Sequence, residues 1–493
     1  MPESGPDLRI AVLSDNGIER DARILKEIAW AEDHYATVHS FSLRQRGEAP
    51  VAERLLDHAR FRASHKAMSK SQAQAAMAGI PSLRRGQPPE ITLKRAQLVL
   101  VLLLVLSIFL ALGATFARLP VWPAATLGIA TLACAVLVFW VRARHRSLAR
   151  MTEISPKTGA PVPILDAWSS QYKQSHALTQ LVEEAIRTDG PYDILHCHEL
   201  VALEAGAAIK RRHGGKLIWD THEIYEDMAE PDPGLAAVAR KTIREAAPDV
   251  DGVITVNDSI VGYYRDTHPD LPEATVVMNA TPRSEMPRDD GRLREASCFG
   301  AETRILLFQG GLTIHRGLQA LVRSAADYPQ GWGLVVLGNG VLKDELRGLA
   351  DRVNADTGEE RVRFLPAVPN AELAAWTAGA DLGVIPYENV ALNHWYCSPN
   401  KLWEYPAAGV PFIAPRHHFI RRLVDEYGTG FLFASDFEAA DIARTVSKID
   451  EAALARARDA IPRFLDEMSW ETFTPRIGDL YERVSLPQRA DPT

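Results

Sequence analysis

The chain has 493 residues, enough for roughly two or three domains. Hydrophobic residues make up 46% and charged residues 24%, which excludes a disordered chain, a collagen and a short disulfide scaffold. The net charge of −8 provides no excess positive field for neutralising phosphates, so nucleic acid is not an expected partner.

The first element is the apolar run LRIAVLSDN (8–16), which ends in polar residues and predicts a buried parallel strand. SDNGIERDAR follows and gathers Asp15, Asn16, Arg20, Asp21 and Arg23 around a tight turn at Gly17. That loop suits an anionic or hydroxyl-rich ligand; equally, Asp21 caps the next helix and the arginines are solvated. Ala22, Leu25, Ile28 and Ala29 then share one helical face, and TVHSFSL predicts a second strand.

Regular patterning dissolves into a basic, polar stretch at 44–91, and two apolar runs follow. Residues 98–117 comprise 20 positions without a charge and 119–141 another 23, with Arg118 between them and Pro120 and Pro123 at the turn. Because a helix of ~20 residues matches the ~30 Å hydrocarbon core, these runs predict a two-span hairpin, the alternative being a buried helical pair. Arg84, Arg85, Lys94 and Arg95 precede the runs, and Arg142, Arg144, Arg146 and Arg150 follow. By the positive-inside bias, both termini and the soluble bulk are expected on the cytoplasmic face of a cell (inner or plasma) membrane, with the lipid bilayer as a partner. The 44–91 stretch is expected either on anionic headgroups or as an ordinary surface extension.

Strand–helix alternation resumes at Tyr192 with DILHCHE, LVALEAGAAIKRRHG, KLIWDTHE and VDGVITVN. A second alternation starts near Arg304 with RILLFQGG, LQALVRSAADY, GLVVLGNG, KDELRGLADRV and RVRFLP. AELAAWTAGA, DLGVIPY, NKLWEYPAAG and VPFIAP continue it. The predicted fold is α/β: two facing Rossmann-like, doubly wound domains, with the membrane hairpin inserted in the first. The expected divisions are 1–92 with 152–290, the insertion at 93–151, a second domain at 291–465, and a returning helix and tail at 466–493. Cys134, Cys197, Cys298 and Cys397 form no CxxC pair, which fits a reducing compartment rather than a zinc ribbon or a disulfide framework.

In such sheets ligands bind beyond the carboxyl ends of the strands. His196 and His198 alternate on one strand and so share a face, and the neighbouring strand ends in Asp220, His222 and Glu223. Zinc ligation, hydrogen bonding to a sugar or phosphate, and satisfied core histidines are all compatible with that set. QGGLTIHRG places Gly310 and Gly311 after a strand and Arg316 five residues on, a loop able to face a phosphate. In SPNKLWEYPAAGVPFIA, Ser398 is the expected cap, Pro399 the first helical position, and Pro406 a kink or early end. Lys401 in the first turn opposes the helix dipole unless an anion such as a diphosphate sits there, and Glu404 follows one turn on, placed for ribose hydroxyls. A solvated Glu–Lys pair is the bland alternative.

RDARILKE, DILHCHE, DTHEIYED, VDGVITVNDSI, LLFQGGLTIHRGL, FLPAVPNAEL and PNKLWEYPAAGVP stand in this order. Together they resemble the family-4 retaining glycosyltransferases of the GT-B fold, over everything outside 44–161 and the extreme tails. The resemblance implies a hexosyltransferase-type enzyme that moves a sugar from a nucleoside-diphosphate sugar (UDP- or GDP-type) to a lipid-linked or glycan acceptor. It implies no further cofactor and no metal. The donor side would be Gly310, Gly311, Arg316, Asn393, Tyr396, Ser398, Asn400, Lys401 and Glu404. The acceptor side would be Asp15, Asn16, Gly17, Arg20, Asp21, His196, His198 and Glu223, and His198, His222, Arg316 and Lys401 would serve catalysis. Glu404 matches the second glutamate of the family's paired motif, whereas Tyr396 stands where the first would be. Asn393, Tyr396 and Ser398 are then the candidates for the sugar hydroxyls. Gly311 replaces the usual phosphate-binding arginine and Arg316 the usual lysine. The diphosphate clamp would be Arg316, Lys401 and helix N–H groups, acting on charge that builds on the leaving group. Rival expectations are another GT-B enzyme, such as a sugar-nucleotide epimerase or a phosphorylase, and a non-catalytic nucleotide-sugar-binding assembly protein. MSWETFTPRIGDLYERV resembles the helix that crosses back to the first domain in this fold.

Overall fold

The computed structural model describes residues 8–15, 18, 21–44, 65–69, 152–229 and 232–486. The expected membrane hairpin lies outside these residues, as do Asn16, Gly17 and Arg20; among the described residues no helix is long and apolar enough to cross a membrane.

The first lobe is a seven-stranded parallel sheet. Its strands are β1 (Arg9–Ser14), β2 (Thr37–Arg44), β3 (His65–Ser69), β6 (Ile194–His198), β7 (Lys216–Thr221), β8 (Val250–Thr255) and β9 (Ala274–Val276). β4 (Thr152–Ile154) and β5 (Pro161–Pro163) form a separate antiparallel hairpin. The sheet order is β3-β2-β1-β6-β7-β8-β9, so the winding reverses between β1 and β6. Almost every residue of β1, β6 and β7 is buried. Helices cover both faces of such a sheet, which is why these strands read as continuous apolar runs rather than alternations.

Three elements differ from the sequence expectation. β3 is a short polar edge strand whose apolar content is too small to register. The 25-residue helix Leu165–Asp189 buries Ala177, Leu178, Val182 and Ala185, but its polar first turns mask that spacing. The β4–β5 hairpin rests beside helix Pro233–Ala246, where Arg244 reaches Glu153 at 3.2 Å.

The second lobe has six parallel strands. They are β10 (Arg304–Gln309), β11 (Trp332–Leu337), β12 (Val362–Leu365), β13 (Leu382–Val384), β14 (Phe412–Pro415) and β15 (Gly430–Phe433). The order β12-β11-β10-β13-β14-β15 puts its reversal between β10 and β13. After helix Glu451–Glu467 the chain returns to the first sheet. There helix Pro475–Ser485 sets Tyr481 against His196 at 2.7 Å, and Arg476 donates to the Val276 carbonyl at 3.0 Å. Both reversal points therefore open toward the space between the lobes, where loops leave strands in opposite directions and a ligand fits.

Candidate active site

Two adjoining cavities occupy that space, of about 670 and 540 Å³. His222, Glu223, Asn370, Ser398, Asn400 and Glu404 line both, marking the junction between them. The larger adds Asp21, Arg23, Glu199 and Asn279; the smaller adds Gln309, Gly310, Gly311, Arg316, Tyr387, Asn393 and Lys401.

In the smaller cavity the two expected phosphate ligands converge on one ring. The Arg316 guanidinium stacks 3.9 Å from the Tyr387 centroid, and Lys401 Nζ lies 5.6 Å from that ring and 5.1 Å from Phe308. No carboxylate among the described residues pairs with either cation, although Lys401 is only 8% exposed. Two close cations without a counter-ion, one of them buried, make a site for an anion. The backbone is shaped around them. Gly310 has φ 121°, and a Cβ there would come within 2.9 Å of Lys401 Nζ. His315 takes φ 61°, a strained value for a residue with a side chain, and so turns Arg316 inward.

The expected helix clamp is corrected by the backbone. The helix runs Lys401–Ala407, two residues later than expected, and Asn400 rather than Ser398 precedes it. The Leu402 amide donates to the Pro399 carbonyl, and those of Trp403 and Glu404 to the Asn400 carbonyl. These N–H groups are therefore not available to a phosphate. Ser398 Oγ instead accepts from Trp403 Nε1 at 3.1 Å. The Gly310 amide is likewise engaged by the Leu337 carbonyl. Pro406 lies inside this seven-residue helix, which ends one residue later.

Glu404 is held by a relay: Thr377 Oγ1 donates to Gln309 Oε1 at 2.7 Å, and Gln309 Nε2 donates to Glu404 Oε2 at 2.9 Å. One carboxylate oxygen is thereby fixed and the other is left for a diol.

Across the cleft, the first-lobe residues divide into a wall and a buried support. Asp21 caps helix Ala22–His34 by accepting from the amides of Arg23 and Ile24, as the capping expectation has it. Arg23 is 2% exposed and forks onto Asp220, at 2.8 Å from Oδ2, and onto Glu27 at 3.0 Å. His196 and His198, expected at the acceptor, are fully buried and line neither cavity. They lie behind His222, with His198 Nδ1 at 3.2 Å from His222 Nε2. Among the described residues, the three histidines considered as possible zinc ligands do not gather into one set, since His222 stands outside the cluster. Instead, Glu27, His196, His198 and Asp220 each bring one potential ligand atom within 4.8 Å of the others, and the Arg23 guanidinium is the cation beside their carboxylates.

His222 is the histidine that reaches the cleft. Burial works against its charge, but the Asp220 carboxylate and Glu199, 3.1 Å from Nδ1, hold the imidazole well above its usual range. Glu199, the first residue of the helix Glu199–His213 that follows β6, adopts φ 70°, and its carboxylate meets His222. Asp220 is pushed up by burial, yet Arg23 and then His222 hold it well below the usual carboxylate range. Burial, and next the Asp220 charge, drive the Glu27 carboxyl well above that range.

Two sugar-side expectations are altered. Asn393 lines the cavity, but its Oδ1 accepts from the Ile224 amide at 2.9 Å. Tyr396 lines neither cavity; its ring meets His418, and its carbonyl accepts from Asn257. Sequence reasoning missed Gln309, Tyr387 and Glu199. The first two are the last residue of β10 and a residue just beyond β13, so the strand-end rule applied to every strand marks them. Glu199 gave no signal, because its backbone strain appears only in three dimensions.

Residues 303–451 match the family model described as Glycosyl transferases group 1, and residues 128–282 the one described as Glycosyltransferase Family 4. A D-inositol 3-phosphate glycosyltransferase from Thermobispora bispora is 24% identical over 322 residues, covering 60% of this chain and 72% of that one. Its counterpart from Streptosporangium roseum is 25% identical over 384 residues, covering 72% and 85%. Among solved structures, sucrose-phosphate synthase from Thermosynechococcus elongatus superposes with a TM-score of 0.62 at 15% identity, over 97% of this chain and 99% of that one. HepE from Anabaena, solved with UDP-glucose, superposes at 0.58 with 13% identity, over 97% and 100%.

Proposed function

We propose that this chain, a glycosyltransferase, is of the family-4 type and moves a sugar, with retention of configuration, from a nucleoside-diphosphate sugar to a lipid-linked or glycan acceptor at the cytoplasmic face of a membrane. The observation that carries the donor assignment is the pair of unpaired cations, Arg316 and Lys401, stacked around Tyr387 in the cleft. They receive the diphosphate, and Glu404, steadied by Gln309, takes the ribose hydroxyls. As the glycosyl bond breaks, negative charge grows on the leaving diphosphate. Fixed cations in a partly buried cleft stabilise that charge without reorganising, the most effective form of electrostatic catalysis. The acceptor enters through the larger cavity, past Asp21 and Glu223. Its hydroxyl proton passes to the leaving phosphate, so no separate enzymic base is needed. His222, whose ring nitrogens face Glu199 and Asp220, adds a positive charge beside the reacting centre.

A UDP-glucose-bound neighbour supports a UDP-type donor, with GDP-type donors next to be tried. Support for membrane attachment comes from the two uncharged runs at 98–117 and 119–141 and their arginine flanks. The protein is expected to resist carbonate extraction, and removal of 98–141 to release a folded enzyme; extraction of the intact chain would rule the spans out. For the site, UDP, GDP, ADP and dTDP are added singly while melting temperature is followed, and donor hydrolysis is measured with the matching nucleotide sugars. At least one nucleotide should stabilise the protein, and its sugar conjugate should be slowly hydrolysed. Failure of all four at millimolar concentration overturns the donor site.

A further inference from the structure

We propose that Glu223 reads a hydroxyl of the transferred sugar from the first lobe, and so sets which sugar is moved. This assignment rests on the donor site described above.

A sugar attached to a diphosphate at Arg316 and Lys401 must cross the junction of the two cavities to meet an acceptor. Most polar side chains at that junction already have one polar atom engaged. Ser398 Oγ accepts from Trp403, Asn400 Oδ1 accepts from Asn279 at 2.8 Å, and Glu404 Oε2 accepts from Gln309. The His222 ring lies between Glu199 and Asp220. Asn370 is exposed at the rim. The Glu223 carboxyl has no hydrogen-bond or ion-pair partner among the described residues, yet it borders both cavities. Of the second-lobe residues expected to read the sugar, Tyr396 lies elsewhere and Asn393, its side-chain carbonyl taken by Ile224, keeps only its Nδ2 as a donor.

The backbone of Glu223 is also preorganised. Its carbonyl accepts from Thr221 Oγ1 at 3.0 Å and from the Tyr264 hydroxyl at 2.8 Å. The next amide, that of Ile224, is tied to Asn393 of the opposite lobe. A side chain with a fixed base and a free tip suits recognition of one hydroxyl, because little ordering remains to oppose binding. Burial, and then the neighbouring Glu199 carboxylate, push the Glu223 carboxyl up to about 7. In its neutral form it both donates to and accepts from a hydroxyl. A site built to bond a hydroxyl strongly rejects the analogue that lacks it.

The test uses the full chain and whichever of UDP-glucose, GDP-mannose, ADP-glucose or dTDP-glucose it hydrolyses fastest. Affinities are measured for that donor, for its nucleoside diphosphate alone, and for donors deoxygenated singly at C2, C3, C4 and C6. Glu223→Ala is expected to weaken the donor at least tenfold while leaving diphosphate affinity within twofold. One deoxy donor should be penalised tenfold by the unaltered protein and not at all by the variant. Glu223→Gln, which keeps a donor and an acceptor, should recover most of the loss and checks that the fold survives. Equal loss of donor and bare diphosphate overturns the assignment. So does an unchanged deoxygenation penalty at all four positions, or an effect confined to the acceptor. If the unaltered chain binds no diphosphate, the donor site itself fails, and this assignment with it.

Discussion

Replacing Lys401 with methionine separates a residue kept for a ligand from one kept for the fold. The residue is 8% exposed, and its ammonium has no carboxylate partner among the described residues and lies over Phe308 and Tyr387. Without ligand, the variant loses two ring contacts worth about 0.5–1 kcal/mol each. It also relieves the burial of an unpaired charge, worth about 1–3 kcal/mol in the opposite sense. Methionine fills similar volume, so the net change should stay within about 1 kcal/mol, or ~2–4 °C in melting temperature. With ligand the balance changes. A charge-assisted bond to phosphate contributes about 1.5–3 kcal/mol, so diphosphate affinity should fall by roughly 10- to 100-fold. Calorimetric titration with the stabilising nucleotide, alongside thermal melts of the ligand-free protein, measures both terms. A variant that binds the diphosphate normally but melts far lower would refute the reasoning, because Lys401 would then be structural.

Gln309→Leu should weaken nucleotide binding about tenfold by freeing the Glu404 carboxylate, with fold stability little changed, because the single Thr377 hydroxyl hydrogen, released from Gln309, turns to the Leu373 carbonyl at 2.7 Å. Measuring the nucleoside against a ribose-modified analogue identifies the lost contact, since the deficit should vanish with the 2′,3′-dideoxy form. Asp220→Asn should cost about 3–5 kcal/mol of stability in denaturant titrations, because it removes the carboxylate on which the buried Arg23 forks and leaves it the Glu27 carboxyl and the Val277 carbonyl. Donor affinity should fall as pH rises through about 7, because ionised Glu223 would face both Glu199 and an incoming dianion. Arg316 and His222 oppose that effect, and Cys397, whose thiol is pushed up by burial to about 12, stays neutral. In Glu223→Gln the inflection should disappear from a pH series of titrations.

The sequence by itself determined the two parallel-sheet lobes, because strands buried on both faces must be apolar throughout and the helices between them must carry one apolar face. It also pointed to Arg316, Lys401 and Glu404, which line one cavity, since a glycine turn and a helix start are local features. It left β3 and the helix Leu165–Asp189 illegible, for their stability comes from docking on a sheet rather than from their own patterning. Only the tertiary structure decided which polar residues are free to act. His198 and His222 look alike along the chain, but packing hides the first and exposes the second to the cleft. Asn393 and Glu223 both carry a side-chain acceptor for a sugar hydroxyl, but the Ile224 amide takes that of the asparagine. A hydrogen bond between distant residues follows from how the lobes meet, and no local pattern of residues encodes it.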